Sequence, residues 1–173
     1  GSARNGGRGG LRWTWDGIEF RLLHPDGRLA QPAARPGRAN DRSCVLRIRA
    51  GAHAMLLTGD IERGVEARLV ATSAGDGELP ADVLLVPHHG SRTSSSKAFI
   101  AGVSPRWAIV PVGYRNRFGH PHPDVLRRYR ASGARLLRTD RDGAIEVRLA
   151  AGGVAIGSAR AAARRYWHAV PAR

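Results

Sequence analysis

Sulfur and lysine are nearly absent from this chain. One cysteine, Cys44, and one methionine occur in 173 residues. No internal disulfide can therefore form, and Cys44, within an apolar alternating run, is expected to be a small buried thiol. Aromatic residues make up 6% of the chain and fall in apolar patterns, too few and too buried for a base-stacking platform. No apolar run approaches the roughly 20 residues of a membrane-spanning helix. The N-terminus has no apolar stretch resembling a signal peptide. Acidic side chains number 14 against 28 basic ones, a formal charge of +14, which excludes an acidic tail or activation segment.

What is present is a globular composition: 42% hydrophobic and 24% charged residues can build a core that offsets chain entropy, and the length suits one domain. Lys97 is the only lysine. The arginine bias is what a GC-rich coding sequence produces, yet its physical consequence stands: planar guanidinium forks match phosphates, and a basic surface attracts nucleic acid.

Residues 1–10 are glycine-rich without apolar periodicity and read as a flexible leader or cloning remnant, with structure beginning near Leu11. Trp13, Trp15, Ile18, Phe20 and Leu22 alternate around Asp16-Gly17, the pattern of a hairpin. Residues 25–40 hold three prolines and predict a long loop. Strands are expected over 44–49 and 54–58, the second buried on both faces, followed by an amphipathic helix over 61–72.

The order then repeats. A strand at 81–86, a polar loop, a short helix at 97–101, a strand at 107–112 and a helix at 124–132 predict a layered α/β arrangement. Leu136-Leu137 and residues 145–149 are expected to pair as a hairpin around Arg141-Asp142-Gly143. Residues 151–173, rich in alanine and arginine, predict a partly ordered tail anchored by Tyr166-Trp167.

Three polar clusters follow buried strands: Thr58-Gly59-Asp60, His88-His89-Gly90-Ser91 and Asn116-Arg117-Phe118-Gly119-His120-Pro121. Ligand sites of α/β sheets collect outside the carboxyl ends of strands, so the three are expected to converge. Asp60 alone also suits a helix N-cap. Imidazole and carboxylate are ligands for Zn²⁺ or Mn²⁺, and two such ions suit phosphodiester cleavage. On an extended chain His88 and His89 point opposite ways, so a pocket receives one of them directly. His120, with Arg115, Asn116 and Arg117, is placed to hold a phosphate, and a plain surface loop is the alternative; His122 reads as surface loop. Ser91, Thr93, Ser94, Ser95 and Ser96 read as loop and cap residues or phosphate-facing donors, since no serine nucleophile elbow is present. His24, His53 and His168 read as structural or solvent-exposed.

Leu56-Leu57-Thr58-Gly59-Asp60, Val86-Pro87-His88-His89-Gly90-Ser91, Gly119-His120-Pro121 and Arg138-Thr139-Asp140-Arg141-Asp142-Gly143-Ala144, in that order, resemble the metallo-β-lactamase-like domain of ComEC, the family of DNA-uptake channel proteins of natural competence. The resemblance covers residues 13–149. It implies an αββα sandwich, a dinuclear site of Mn²⁺ or Zn²⁺, and a nuclease acting on incoming DNA.

By the same resemblance, Asp60 matches the bridging carboxylate and His89 a metal ligand, with His88 facing substrate or backing the ligands; the reverse assignment of the two histidines stays open. His120 matches a phosphate or catalytic contact. The superfamily's principal metal motif, His-x-His-x-Asp-His, is not found in this sequence, and Asn40-Asp41 stands where another ligand histidine is expected; either could reach the site as an oxygen ligand or hydrogen bonder.

The expectation is therefore the C-terminal half of a sandwich, residues 11–150, whose site is completed by preceding parts of the parent protein. That half alone would bind metal weakly and hydrolyse little. Expected partners are DNA, the membrane channel and N-terminal portion of the same protein, and a second copy through the exposed half-sheet; the parent would sit in the bacterial inner membrane with this domain on the periplasmic side. The alternatives are a DNA-guiding or structural module without catalysis and, on the same sandwich, a hydrolase of small phosphoesters or lactones.

Overall fold

The computed structural model describes residues 3–5, 10–25, 39–73 and 77–163. An eight-stranded sheet runs in chain order through β1 (Ala3–Asn5), β2 (Leu11–Trp15), β3 (Ile18–His24), β4 (Val45–Ala50), β5 (His53–Leu57), β6 (Val83–Leu85), β7 (Trp107–Val110) and β8 (Arg135–Arg138). Strands β1 to β5 are antiparallel neighbours and β5 to β8 parallel ones. The β2–β3 turn has Asp16 at φ 51° and Gly17 at φ 75°, the two positive values that a right-twisting two-residue hairpin requires.

Parallel neighbours need crossovers. These are the helices α1 (Arg63–Ser73), α2 (Lys97–Val103) and α3 (Pro123–Ala131). Their buried Val65, Leu69, Phe99, Ile100, Val103, Val125 and Tyr129 form one core with Leu56, Leu84, Ala108 and Val110 of the sheet. Each such large apolar side chain stabilises by about 1.5–3 kcal/mol when fully buried.

After the single turn α4 (Thr139–Asp142), strands β9 (Ile145–Ala150) and β10 (Gly153–Ser158) form a separate two-stranded sheet, followed by α5 (Ala159–Ala162). Strand β9 lies against β4 and β5. Its half-buried Ile145, Val147 and Leu149 alternate with exposed Glu146 and Arg148. Helices on one side and a small sheet on the other give the expected α+β layers. Among the described residues no helix is long and apolar enough to cross a membrane.

Several expectations are corrected. Residues 145–149 pair with β10 rather than with Leu136-Leu137, which instead extend the main sheet beside β7. The period-two pattern marks a strand, but it does not name the partner. Ordered structure continues past Ala151 through β10 and α5, while Tyr166-Trp167 lies outside the described residues. At the other end, Ala3–Asn5 already pairs with β2, ahead of Leu11. Strand β5 is not buried on both faces: Ala54 and Leu56 are enclosed, and His53, Met55 and Leu57 are half-covered. Cys44 is exposed, one residue before the strand position at which Val45 is fully enclosed. Most of the long loop 25–40 falls outside the described residues; Ala39–Arg42 forms a single 3-10 turn.

Candidate functional site

The segments after β5, β6, β7 and β8 leave the sheet at one edge, because parallel strands put all their carboxyl ends on the same side. Asp60 follows β5, His88 and His89 follow β6, and His120 follows β7. The three clusters converge as expected.

Asp60 is no helix cap. Helix α1 begins at Arg63, and it is the Glu62 carbonyl that accepts from the Val65 and Glu66 N–H groups, each at 3.0 Å. The Asp60 backbone N–H instead donates to Ser43 Oγ at 3.1 Å. Its carboxylate is left facing His89, with Oδ1 3.5 Å from Nε2. On the other side of that ring, His89 Nδ1 lies 2.6 Å from the Pro111 carbonyl. A carbonyl only accepts, so Nδ1 carries the proton, and the Nε2 of a neutral ring turns a lone pair toward Asp60.

The histidine pair is not extended. His88 (φ 49°) and His89 (φ 53°) both adopt left-handed backbone, and Gly90 follows at φ 78°. Left-handed backbone costs a non-glycine residue roughly 1–2 kcal/mol, and such strain concentrates at functional sites. The compact turn turns both imidazoles toward the other clusters, where an extended chain would have divided them. His88 Nδ1 is 3.4 Å from Glu62 Oε1 and 3.4 Å from Thr93 Oγ1, and Asn40 Nδ2 donates to the same Glu62 oxygen at 3.1 Å. The His120 ring meets His88 edge-on with centroids 5.9 Å apart. Burial, and then the positive charge available to His88, His89 and His122, holds the His120 imidazole below its usual range, so at neutral pH it is an acceptor.

A buried network holds the strained turn. The Ser94 hydroxyl lies 2.9 Å from the Pro87 carbonyl and 3.1 Å from that of Ser91, one on each side of the histidines. The fully buried Glu66 accepts the backbone N–H of Ser95 and, at 2.8 Å, that of Ser96. Tyr129 donates its hydroxyl to Ser95 Oγ at 3.1 Å, and burial pushes its phenol well above the usual range. Across the site, Thr139 Oγ1 accepts from Val112 N–H at 2.7 Å and donates to its carbonyl at 2.7 Å, fixing the start of the loop over 113–122.

The remaining expected site residues lie farther out or are engaged locally. Ser91 is buried with its hydroxyl 3.2 Å from Thr93 Oγ1. Asn116 closes its own loop, donating to the His120 carbonyl at 2.6 Å and accepting from the His120 N–H at 3.0 Å. Arg115 and Arg117 are exposed beside Tyr114 and Phe118. Asn40 reaches the rim through Glu62, whereas the Asp41 carbonyl accepts from His24 Nε2 at 2.7 Å. His24 is buried and structural, as expected. His122 is more than a surface loop residue, because it caps α3 by accepting from Asp124 N–H. The residue near the site that the sequence did not single out is Glu62, two positions after Asp60, which fell within the stretch expected to be an amphipathic helix. Among the described residues no group of three or more His, Cys, Asp or Glu side chains is placed to hold a metal ion. Asp60 and His89 offer two donors, fewer than the three or four protein ligands of a typical zinc site.

No family model matches the chain. Individual proteins do. Competence protein ComA of Neisseria gonorrhoeae is 44% identical over 143 residues, 83% of this chain and 20% of that protein. ComE operon protein 3 of Bacillus subtilis is 36% identical over 131 residues, 76% of this chain and 16% of that protein. Recombination protein 2 of Haemophilus influenzae is 35% identical over 119 residues, 69% of this chain and 14% of that protein. The chain thus spans a fifth or less of the length of these curated relatives, and it belongs by sequence to a competence-protein family.

Proposed function

We propose that this chain is the C-terminal part of a metallo-β-lactamase-like nuclease domain of a DNA-uptake protein of the bacterial inner membrane, facing the periplasm and hydrolysing phosphodiester bonds of incoming DNA. The observation that carries the reading is the Asp60–His89 pair, 3.5 Å apart with the far nitrogen of His89 against the Pro111 carbonyl. With the His89 ring neutral, Nε2 and Oδ1 are two acceptors facing each other, an arrangement that a bound cation relieves. An imidazole oriented by a carbonyl behind it is how proteins present histidine to a metal. A pair of Mn²⁺ or Zn²⁺ ions would supply an activated water and neutralise charge developing on the phosphate.

The rest of the chain supports that chemistry. His120, neutral at pH 7, accepts a proton or contacts a phosphate oxygen beside His88, and the chain's +14 charge attracts a polyanion. Further ligands come from parts of the parent protein that precede this segment.

The test is metal stoichiometry by elemental analysis after equilibration with Mn²⁺ or Zn²⁺ and desalting, for this chain, its Asp60→Ala and His89→Ala variants, and a longer chain that includes the preceding segment. Metal in the longer chain that both substitutions diminish supports the reading. Both chains empty would sink it, and would leave His89 as an imidazolium paired with Asp60 in a module that only guides DNA.

A further inference from the structure

The aromatic residues are not all buried. Tyr114 and Phe118 are each 68% exposed, and both stand on the 113–122 loop that carries His120 into the site. Each has an arginine over its ring: the Arg115 guanidinium carbon is 5.2 Å from the Tyr114 centroid, and that of Arg117 is 5.0 Å from the Phe118 centroid. The loop is braced by both Asn116–His120 hydrogen bonds and by Thr139 at Val112. Two large rings are thus held largely in water on a braced loop, covered in part by the neighbouring arginines and, for Phe118, by the His120 ring, which leaves apolar area exposed at a cost in hydration free energy.

We propose that Tyr114 and Phe118 are a stacking site for the bases of a single-stranded nucleic acid, with Arg115 and Arg117 holding the intervening phosphates. A nucleotide strand carries both flat rings and anions, and this loop sets a flat ring beside a guanidinium twice in five residues, at 114–115 and, in reverse order, at 117–118, with both guanidiniums between the two rings in sequence. Stacking tolerates any base, because every base has a π-face, and arginine adds a cation–π contribution. The bases of a duplex are already stacked on one another and are not offered to such rings. A protein partner would need acidic groups to meet these arginines on a chain of charge +14, and a phosphodiester strand supplies them at every residue.

A direction is also built in. The Phe118 and His120 rings lie 6.1 Å apart at 22°, and His120 meets His88 at 5.9 Å. A strand gripped at Phe118 therefore has its next phosphates beside His120 and His88. This rests on the nuclease reading in that the strand is led to those histidines, and it goes beyond it by choosing an unpaired strand as the form that is bound.

The experiment is fluorescence anisotropy in EDTA with the 173-residue chain. Its probes are an end-labelled oligothymidylate, an abasic deoxyribose-phosphate strand of equal length and charge, and a duplex of equal length. Base stacking predicts that oligothymidylate binds roughly tenfold or more tightly than the abasic strand. Tyr114→Ala and Phe118→Ala should each remove much of that difference, while Phe118→Trp keeps it. The comparison of the two strands on the unsubstituted chain needs no variant, so a folding defect cannot mask the answer. Equal affinity for the two strands, or alanine variants that keep the full preference, overturns the stacking site and leaves the nuclease reading standing on its metal test. Binding to none of the probes overturns the site and counts against the DNA reading as well.

Discussion

The carboxylate of Glu66, fully enclosed beneath the histidine turn, accepts the backbone N–H of Ser96 at 2.8 Å. It also takes the N–H of Ser95, so one buried side chain satisfies two donors at the start of α2. Glu66→Ala removes the acceptor of both N–H groups and leaves a cavity in its place. Each unsatisfied group costs about 1–3 kcal/mol. We expect a loss of about 2–5 kcal/mol in urea unfolding. Glu66→Gln, which keeps one good acceptor, should fall between the two. A Glu66→Ala protein as stable as the parent would show that the serines find other acceptors.

Gly90 closes the strained turn with φ 78°, and a Cβ built there would meet Pro121 Cβ at 2.6 Å and Pro121 Cα at 3.2 Å. Gly90→Ala therefore combines left-handed backbone, about 1–2 kcal/mol, with overpacking of about 1–3 kcal/mol. A destabilisation of about 2–5 kcal/mol is expected by chemical denaturation, with separation of the His88 and His120 clusters visible as changed imidazole chemical shifts. An unchanged midpoint would mean that the 121 segment yields freely.

Much of the fold was legible because its signals are local. Asp16-Gly17 between alternating apolar residues specifies a hairpin, and each buried strand followed by an amphipathic helix specifies a crossover. Convergence of Asp60, His89 and His120 follows from parallel strands alone. What stayed hidden depends on distant partners. The partner of β9 is a strand of Gly153, Val154, Ala155, Ile156 and Gly157, whose small residues carry no strong pattern. The left-handed backbone of His88 and His89 arises from clamps such as Ser94 on Pro87, and histidine as a residue type does not announce it. The expectation that the aromatics are buried fails at Tyr114 and Phe118, which stand exposed on a loop without apolar periodicity.

The His120 imidazole is held below 6.5, first by burial and then by its histidine neighbours. The folded state thus binds this proton less readily than the unfolded chain. Its contribution to stability is complete above the unfolded value and declines as the pH falls below it. In an NMR titration His120 should have its midpoint below 6.5, and His88→Asn should raise that midpoint only partly, because burial is the larger cause. A midpoint at or above that of free histidine would mean the ring is solvated, and His120 would lose its standing as a neutral acceptor at pH 7.

Thr139 anchors the start of the loop that carries His120. Its hydroxyl both accepts from and donates to Val112, at 2.7 Å in each case, just before the chain departs toward Tyr114 and Phe118. Thr139→Val preserves shape and removes both bonds, leaving the Val112 N–H in a buried position without its acceptor. The cost should be about 1–3 kcal/mol, with faster amide exchange at Val112 and through residues 113–120. Thr139→Ser restores the hydroxyl and should restore protection. Amide exchange at Val112 and through 113–120 that is unchanged by Thr139→Val would show that Thr139 does not hold the loop.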